Sequence, residues 1–126
     1  MTNAKWTTAL LLAAVLTTGC NSQTGGNKDA ATGPIPGTEG YPPEKIELAK
    51  KSNCLSCHAM EKKMIGPSFK DIAAKYRGDP EAEEKLVTRV AKGSSGAWGS
   101  IPMPANSPPV TEAEIRALIQ FTLSLN

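Results

Sequence analysis

The chain has 126 residues, which is room for one folded domain once its ends are set aside. Its 14 basic and 12 acidic residues are spread along the chain, so the charge pattern gives no indication of a nucleic-acid partner. Hydrophobic residues make up 40% and aromatic residues 5%, which is little for a self-sufficient core. The composition therefore suggests that a bulky apolar cofactor fills part of the interior.

The first 19 residues have the pattern of an export signal. A short positive segment ends at Lys5, and residues 6–16 form an apolar run of the length found in signal peptides, well short of the roughly 20 residues that span a bilayer. The Gly-Cys pair that follows resembles the lipobox of bacterial lipoproteins, although Thr17 stands where such boxes usually carry Leu. The sequence predicts a signal peptide over residues 1–19 and a lipid on Cys20. Ordinary signal-peptidase cleavage is the alternative.

Residues 21–40 have the composition of a flexible linker. They carry five glycines, two prolines and few apolar residues, so they cannot bury enough surface to offset the entropy of ordering. Such a linker has an r.m.s. reach of roughly 25 Å. We therefore expect residues 20–40 to tether a folded domain that spans residues 41–126.

Two helices are predicted in the first half of this domain. The first begins at Pro42-Pro43, which suits a first helical turn, and ends at Asn53, which tolerates the left-handed cap conformation. The second covers residues 68–76, where apolar side chains recur at helical spacing, and it stops at Gly78. The first helix thus delivers its carboxyl end to the segment that follows Asn53.

Two further helices complete the domain. The third is predicted from Asp79 as N-cap, with acidic residues in its first turn, to Lys92-Gly93. The fourth opens with Thr111 and Glu114 as a capping box and carries an apolar stripe along one face. The sequence has no run of alternating apolar residues bounded by turns, so the predicted fold class is all-α.

Residues 53–60 read NCLSCHAM and contain Cys-x-x-Cys-His, formed by Cys54, Cys57 and His58. A structural zinc site would need a fourth ligand, and none is at hand once Cys20 is lipidated. A redox-active Cys-x-x-Cys belongs after a strand, and a structural disulfide leaves the histidine without a role. The spacing favours a c-type haem, since two thioethers fix one edge of the macrocycle and the next residue offers an imidazole to the iron.

A sixth iron ligand has to come from a methionine, because His58 is the only histidine in the chain. Met60 and Met64 follow His58 so closely that packing or surface roles are favoured for them. Met103 lies between two prolines, which exclude helix and restrict the backbone on both sides. The sequence favours Met103 as the distal ligand, with an ordinary loop methionine as the alternative.

From about Leu48 to Asn126 the chain resembles the small bacterial class I c-type cytochromes, which donate electrons to periplasmic nitrite reductase and related enzymes. The resemblance lies in four features, namely CLSCH, KMIGPSFKDIAAKY, RVAKGSSGAWGSIPMPAN and a final helix. It implies a class I cytochrome c fold, with about four helices wrapped around one haem c. It also implies that Cys54 and Cys57 form the thioethers, that His58 is the proximal ligand and that Met103 is the distal ligand.

The resemblance assigns roles to four more residues. The carbonyl of Pro67 would accept a hydrogen bond from the second ring nitrogen of His58 and orient the imidazole. Arg89 and Trp98 match positions that hydrogen-bond a haem propionate. Asn106 matches a position whose side-chain amide approaches the methionine sulfur.

The function expected from these features is that of a monohaem electron carrier working by outer-sphere transfer, and not that of an enzyme. The alternative is a haem-based sensor of small ligands, or a peroxidase, in which Met103 dissociates from the iron. A thiol oxidoreductase is a further rival that a covalent haem would exclude. The expected partners are redox proteins such as a cytochrome-containing donor complex and a terminal reductase or oxidase.

The expected location is the periplasmic side of a bacterial membrane, where a monomer is held by the lipid on Cys20. Asn21 directly after the lipidated cysteine favours the outer membrane in a Gram-negative organism. Four lysines flank the haem attachment and could steer acidic partners, namely Lys50, Lys51, Lys62 and Lys63.

Overall fold

The computed structural model describes residues 35–126; the predicted signal peptide, Cys20 and the linker up to residue 34 lie outside the described residues. Within them the chain forms four α-helices and a short 3₁₀ turn, in the order α1 (Pro43–Lys51), the turn (Cys54–Ser56), α2 (Phe69–Tyr76), α3 (Ala82–Lys92) and α4 (Glu112–Leu123). The described part holds no strand beyond one isolated bridge, so the all-α prediction is confirmed. None of its helices is long and apolar enough to cross a membrane.

The end of α1 is fixed by Asn53, as the sequence predicts. The amide of Ser52 donates to the carbonyl of Leu48 at 2.9 Å, and Asn53 then takes the left-handed conformation, with φ 59° and ψ 15°. Asparagine reaches this region at lower cost than most residues because its side chain bonds locally. The helix therefore ends at Lys51, two residues before the predicted end at Asn53, and the left-handed Asn53 turns the chain directly before Cys54.

The other helix ends follow the predicted signals with one exception. Thr111 and Glu114 form the expected capping box at the start of α4. The N-cap of α3 is Glu81 rather than Asp79, so that prediction is wrong by two residues. The Asp79 carboxylate still accepts the Glu81 amide at 2.9 Å, but it does so within a turn that precedes the first helical residue, Ala82.

The carboxyl-terminal helix α4 packs against α1, α2 and α3 and so organises the core. One cluster of buried side chains lies between α3 and α4, and a second lies beside the Cys-x-x-Cys-His motif. The second cluster consists of Ile46, Met60, Phe69 and Phe121. Met60 is 1% exposed there, which confirms its prediction as a packing residue.

Residues 35–40, the end of the predicted linker, contact the domain. Ile35 and Tyr41 both pack against the second cluster, and the Tyr41 ring meets Phe121 edge to face at 6.3 Å between centroids. The Tyr41 hydroxyl donates to Glu61 at 3.0 Å. The packed region therefore extends back from the predicted boundary at residue 41 to Ile35.

Candidate functional site: a cleft between His58 and Met103

The Cys-x-x-Cys-His motif is wound into the 3₁₀ turn that follows α1. The amides of Cys57 and His58 both donate to the carbonyl of Cys54, at 3.2 and 3.0 Å. This tight turn holds the two cysteines close in space; both are half-buried and carry free thiols. Burial raises the pKa of the Cys54 thiol.

His58 is buried, with 9% of its surface exposed, and its ring is held in one orientation. Nδ1 lies 2.6 Å from the carbonyl oxygen of Pro67, which is the contact that the resemblance implies. A carbonyl can only accept a hydrogen bond, so Nδ1 carries a proton, and in the neutral ring Nε2 is then the nitrogen with the free lone pair. The ring also packs against Phe69 at 5.7 Å between centroids. The imidazole is therefore in the tautomer that a metal ion requires.

Gly66 provides the space in which this ring lies. A Cβ atom at position 66 would come within 2.5 Å of His58 Cε1 and within 2.8 Å of Nδ1. The ring cannot move away at low cost, because it is buried and bonded to Pro67. Only glycine lets the backbone lie flat against the imidazole.

Met103 lies in the loop between α3 and α4, and the backbone holds it in place. Its amide donates to the carbonyl of Ser94 at 2.8 Å, and the Ser94 amide donates to the Met103 carbonyl at 3.0 Å. Gly93, with φ 80°, lies so close that a Cβ there would come within 2.8 Å of the Met103 carbonyl oxygen. Three residues after Met103 the chain returns to α3, where the Asn106 amide donates to the Val90 carbonyl at 3.0 Å.

These elements enclose one cleft of about 350 Å³, which we call the central cleft. It is lined mainly by apolar side chains and is of the size that binds small molecules and cofactors. Seven of the predicted site residues line it together, namely Cys54, Cys57, His58, Pro67, Arg89, Trp98 and Met103. Asn106 is not among the lining residues; its amide nitrogen donates instead to the Pro104 carbonyl at 3.2 Å.

Arg89 and Trp98 each have a partner at the cleft wall. The Arg89 guanidinium donates to the Tyr76 hydroxyl. Trp98 is 37% exposed, and the Lys75 ammonium lies 4.2 Å from the centre of its ring system. Arg89 thus uses part of its hydrogen-bonding capacity on Tyr76. The Lys75 contact is with the face of the Trp98 ring and leaves the indole N–H available as a donor.

The alternatives to haem find no support in this geometry. The described residues contain no group of three or more His, Cys, Asp or Glu side chains that could hold a metal ion, which argues against a zinc site. A thioredoxin-like setting needs a strand before the motif, and α1 occupies that place. The free thiols of Cys54 and Cys57 do not fit a structural disulfide.

Comparisons with known proteins agree with a haem site in the central cleft. A family model described as Cytochrome c matches residues 46–126, which is more than half of the chain. The chain belongs to the cytochrome c family. Among curated relatives, cytochrome c-551 of Allochromatium vinosum is 49% identical over 80 residues, covering 64% of this chain and 84% of the relative. Cytochrome c-552 of Nitrosomonas europaea is 46% identical over 86 residues, covering 68% of this chain and 82% of the relative.

Solved structures place the cytochrome in the class I fold. The crystal structure of wild-type cytochrome c552 from Nitrosomonas europaea aligns with a TM-score of 0.61 at 47% identity, covering 64% of this chain and 99% of that one. The predicted class I cytochrome c fold is therefore confirmed, and the chain is a small monohaem cytochrome that carries electrons.

The residues of this cytochrome fit a c-type haem. The chain provides two adjacent thiols, an imidazole with a free Nε2, and an apolar cleft between that imidazole and a thioether. One haem c is attached covalently through the Cys-x-x-Cys-His motif of Cys54, Cys57 and His58, as predicted.

Three residues of the site had no role in the sequence-based prediction. Gly66 lies inside the KMIGPSFK segment, where a glycine before a proline reads as an ordinary turn. Gly93 was predicted only as a helix end. It contacts Met103, ten residues later in the sequence, because the bridge between Ser94 and Met103 brings the two backbones together. Lys75 reads as a solvated helix cation. No local pattern could have revealed these three contacts.

Proposed function

We propose that in this electron carrier His58 and Met103 would hold the iron of the haem, and that both would stay bound in either oxidation state. The observation that carries the proposal is that both side chains line the central cleft. The His58 ring is held by the bond from Nδ1 to Pro67, and Met103 is held by its backbone bonds to Ser94. When bound, the haem supplies an iron that changes by one electron, with its potential raised by a thioether ligand.

The chain's own part in electron transfer is to keep the ligands still. The Pro67 carbonyl fixes the proton on His58 Nδ1, and Gly66 allows the ring to be packed without freedom to rotate. The paired hydrogen bonds between Ser94 and Met103 hold the methionine backbone. Two ligands that do not move between states keep the reorganisation on electron transfer small, and no substrate has to bind.

Arg89, Trp98 and Asn106 are proposed to complete the site. Arg89 and Trp98 would donate hydrogen bonds to a haem propionate, and the support is that both line the cleft. The guanidinium has five N–H donors, so the Tyr76 contact leaves donors for a carboxylate. Asn106 would approach the Met103 sulfur with the amide hydrogen that its contact with Pro104 leaves over.

Redox partners are proposed to dock at the open rim of the central cleft. Four exposed apolar side chains surround this rim, namely Met64, Ile65, Trp98 and Ile101. Lys63 lies at the same rim, with Lys62 beside it, so the apolar area carries a positive edge. This arrangement suits a weak complex with an acidic partner such as a cytochrome-containing donor or a terminal reductase or oxidase. A monomer suffices, since all site residues come from one chain.

The location rests on the amino-terminal sequence. Residues 1–19 would direct export, Cys20 would carry a lipid, and the linker would hold the cytochrome on the periplasmic side of a membrane, with Asn21 favouring the outer membrane. Cys20→Ser is expected to move the cytochrome from the membrane fraction to the soluble fraction without changing its visible spectrum. Unchanged membrane association would contradict the lipid anchor.

Carbon monoxide binding tests the ligand assignment and the rival sensor or peroxidase. The wild-type reduced protein is expected to resist CO, because Met103 occupies the sixth position. Met103→Ala should keep its haem, bind CO and have a lower midpoint potential. Met64→Ala is a matched control, because Met64 is also a methionine at the cleft and is 50% exposed. Rapid CO binding by the wild type would favour the sensor or peroxidase.

A further inference from the structure

Lys75 makes two contacts with consecutive residues of the loop that carries Met103. It lies in the last turn of α2, and its ammonium donates to the Ala97 carbonyl at 2.8 Å. The same ammonium lies 4.2 Å from the centre of the Trp98 ring system, within the range of a cation–π interaction. One exposed side chain therefore contacts the loop through both a backbone carbonyl and an aromatic ring.

The contacts of Lys75 are important because they lie in the middle of the loop. Within the loop, Ser94 and Met103 bond to each other through their backbones. Further on, the amides of Asn106 and Ser107 donate to carbonyl groups of α3. The middle, residues 95–102, projects beyond the Ser94–Met103 bridge and forms part of the cleft wall. Lys75 connects this middle segment to α2.

We propose that Lys75 is a positioning residue that holds the loop against α2 and so limits how often Met103 leaves the iron. The inference deepens the proposed function, since it rests on Met103 as the distal ligand. When Lys75 releases Ala97 and Trp98, the backbone hydrogen bonds that still hold residues 95–102 within the described chain are those of the bridge at their base. Opening of that bridge then frees the Met103 backbone and carries its thioether away from the cleft.

The nature of the two contacts distinguishes this role from that of an ordinary surface ion pair. Lys75 meets a backbone carbonyl and an aromatic face, so side-chain rearrangement of the loop cannot remove the carbonyl contact. Lys70, one and a half turns earlier on α2, provides the contrast. It pairs with the exposed carboxylate of Glu61 at 2.7 Å, away from the loop.

The test is amide hydrogen exchange of the Met103 amide in the haem-loaded protein, with the Ile119 amide in α4 as the internal reference. The variants are Lys75→Met, the matched control Lys70→Met on the same helix, and Lys75→Arg, which keeps a cation and a donor. Loss of one charged hydrogen bond and one cation–π contact should raise exchange at Met103 about tenfold in Lys75→Met. Ile119 should not change, and the other two variants should stay near wild type.

Three results would overturn the proposal. The first is unchanged exchange at the Met103 amide in Lys75→Met. The second is an equal rise in exchange at the Ile119 amide of that variant, which would indicate general destabilisation. The third is an equal rise in Met103 exchange in Lys70→Met. The reduced Lys75→Met protein should also bind CO about tenfold faster than wild type, and equal rates would remove the role at the iron. Failure of Met103→Ala to bind CO would instead contradict the proposed ligand, whereas the contacts of Lys75 are tested by the difference in exchange between Lys75→Met and Lys70→Met.

Discussion

The two walls of the central cleft are built by different means. The His58 wall comes from one short stretch, residues 54–67, in which a tight turn, a glycine and a proline carbonyl all act on one buried ring. The Met103 wall is a loop that projects from the end of α3. It is held by backbone hydrogen bonds at its base and by Lys75 at its middle.

This difference indicates how each of the two proposed ligands can be lost. His58 is fixed by close packing, so it is displaced when another atom is forced into its space. Met103 is fixed by a few hydrogen bonds around a partly exposed loop, so it is displaced when the loop opens. Substitutions in the first wall should therefore act on folding and haem binding, and those in the second should act on access to the iron.

The largest effect is expected from Gly66→Ala in the His58 wall. The added methyl group would lie 2.5 Å from His58 Cε1, and the buried ring can give way only by breaking its bond to Pro67. We expect a loss of about 3 kcal/mol in the free energy of unfolding, measured by denaturant titration. Gly78→Ala is the control, with φ 81° and no atom within 4 Å, and should cost about 1 kcal/mol. Equal losses would contradict the steric account.

The His58 wall could largely be predicted from sequence because its determinants are local. Cys54, Cys57 and His58 form a contiguous motif, and the left-handed cap at Asn53 follows from residue type and position. Gly66 is the exception in this wall. Its role depends on how closely the chain returns to the imidazole eight residues after it, and sequence patterns do not carry that distance.

A smaller effect is expected from Gly93→Ala in the Met103 wall. Position 93 combines φ 80° with a Met103 carbonyl oxygen that would lie 2.8 Å from the new Cβ, so we expect a loss of about 2 kcal/mol. Gly96→Ala isolates the backbone strain, because Gly96 has φ 76° and open space around it, and should cost about 1 kcal/mol. Gly93→Ala should also bind CO faster than Gly96→Ala. Identical stability and CO rates in the two variants would refute the close contact.

The Met103 wall shows where prediction from sequence stops. The two flanking prolines indicate a rigid loop and singled out Met103, which lines the central cleft. Its role as the distal ligand stays a prediction. The bridge to Ser94, the contact with Gly93 and the contacts of Lys75 join residues that are about nine to 23 positions apart in the sequence. Such contacts follow from how the helices pack. The wrong N-cap of α3 has a local cause instead, because the Asp79 carboxylate bonds the Glu81 amide within a turn before the helix.

The smallest effect on stability is expected at the ion pair that joins α1 to α4. The Lys51 ammonium on α1 bonds the Glu114 carboxylate on α4 at 2.9 Å. This bond, with those from the Thr111 amide and hydroxyl, lowers the pKa of Glu114 from 4.5 to about 2. A carboxyl group with a lowered pKa in the folded state stabilises the protein above its unfolded pKa, and this contribution is lost as the pH falls through the folded value.

Acid titration of two variants measures this contribution. The wild type should lose more free energy of unfolding between about pH 5 and about pH 3 than Glu114→Gln, which has no proton to gain. Lys51→Met should fall between them, because Thr111 still bonds the carboxylate. Both walls should be affected alike, so the CO rates of the variants should match the wild type. Parallel acid profiles for wild type and Glu114→Gln would contradict the linkage.

The central claim is that one wall supplies a nitrogen ligand and the other a sulfur ligand to the same iron. X-ray absorption at the iron edge measures this directly in the haem-loaded protein. The account predicts one iron–sulfur bond in both the oxidised and the reduced wild type, its retention in Met64→Ala and its loss in Met103→Ala. An iron without a sulfur neighbour in the wild type, or an iron–sulfur bond that survives in Met103→Ala, would contradict it.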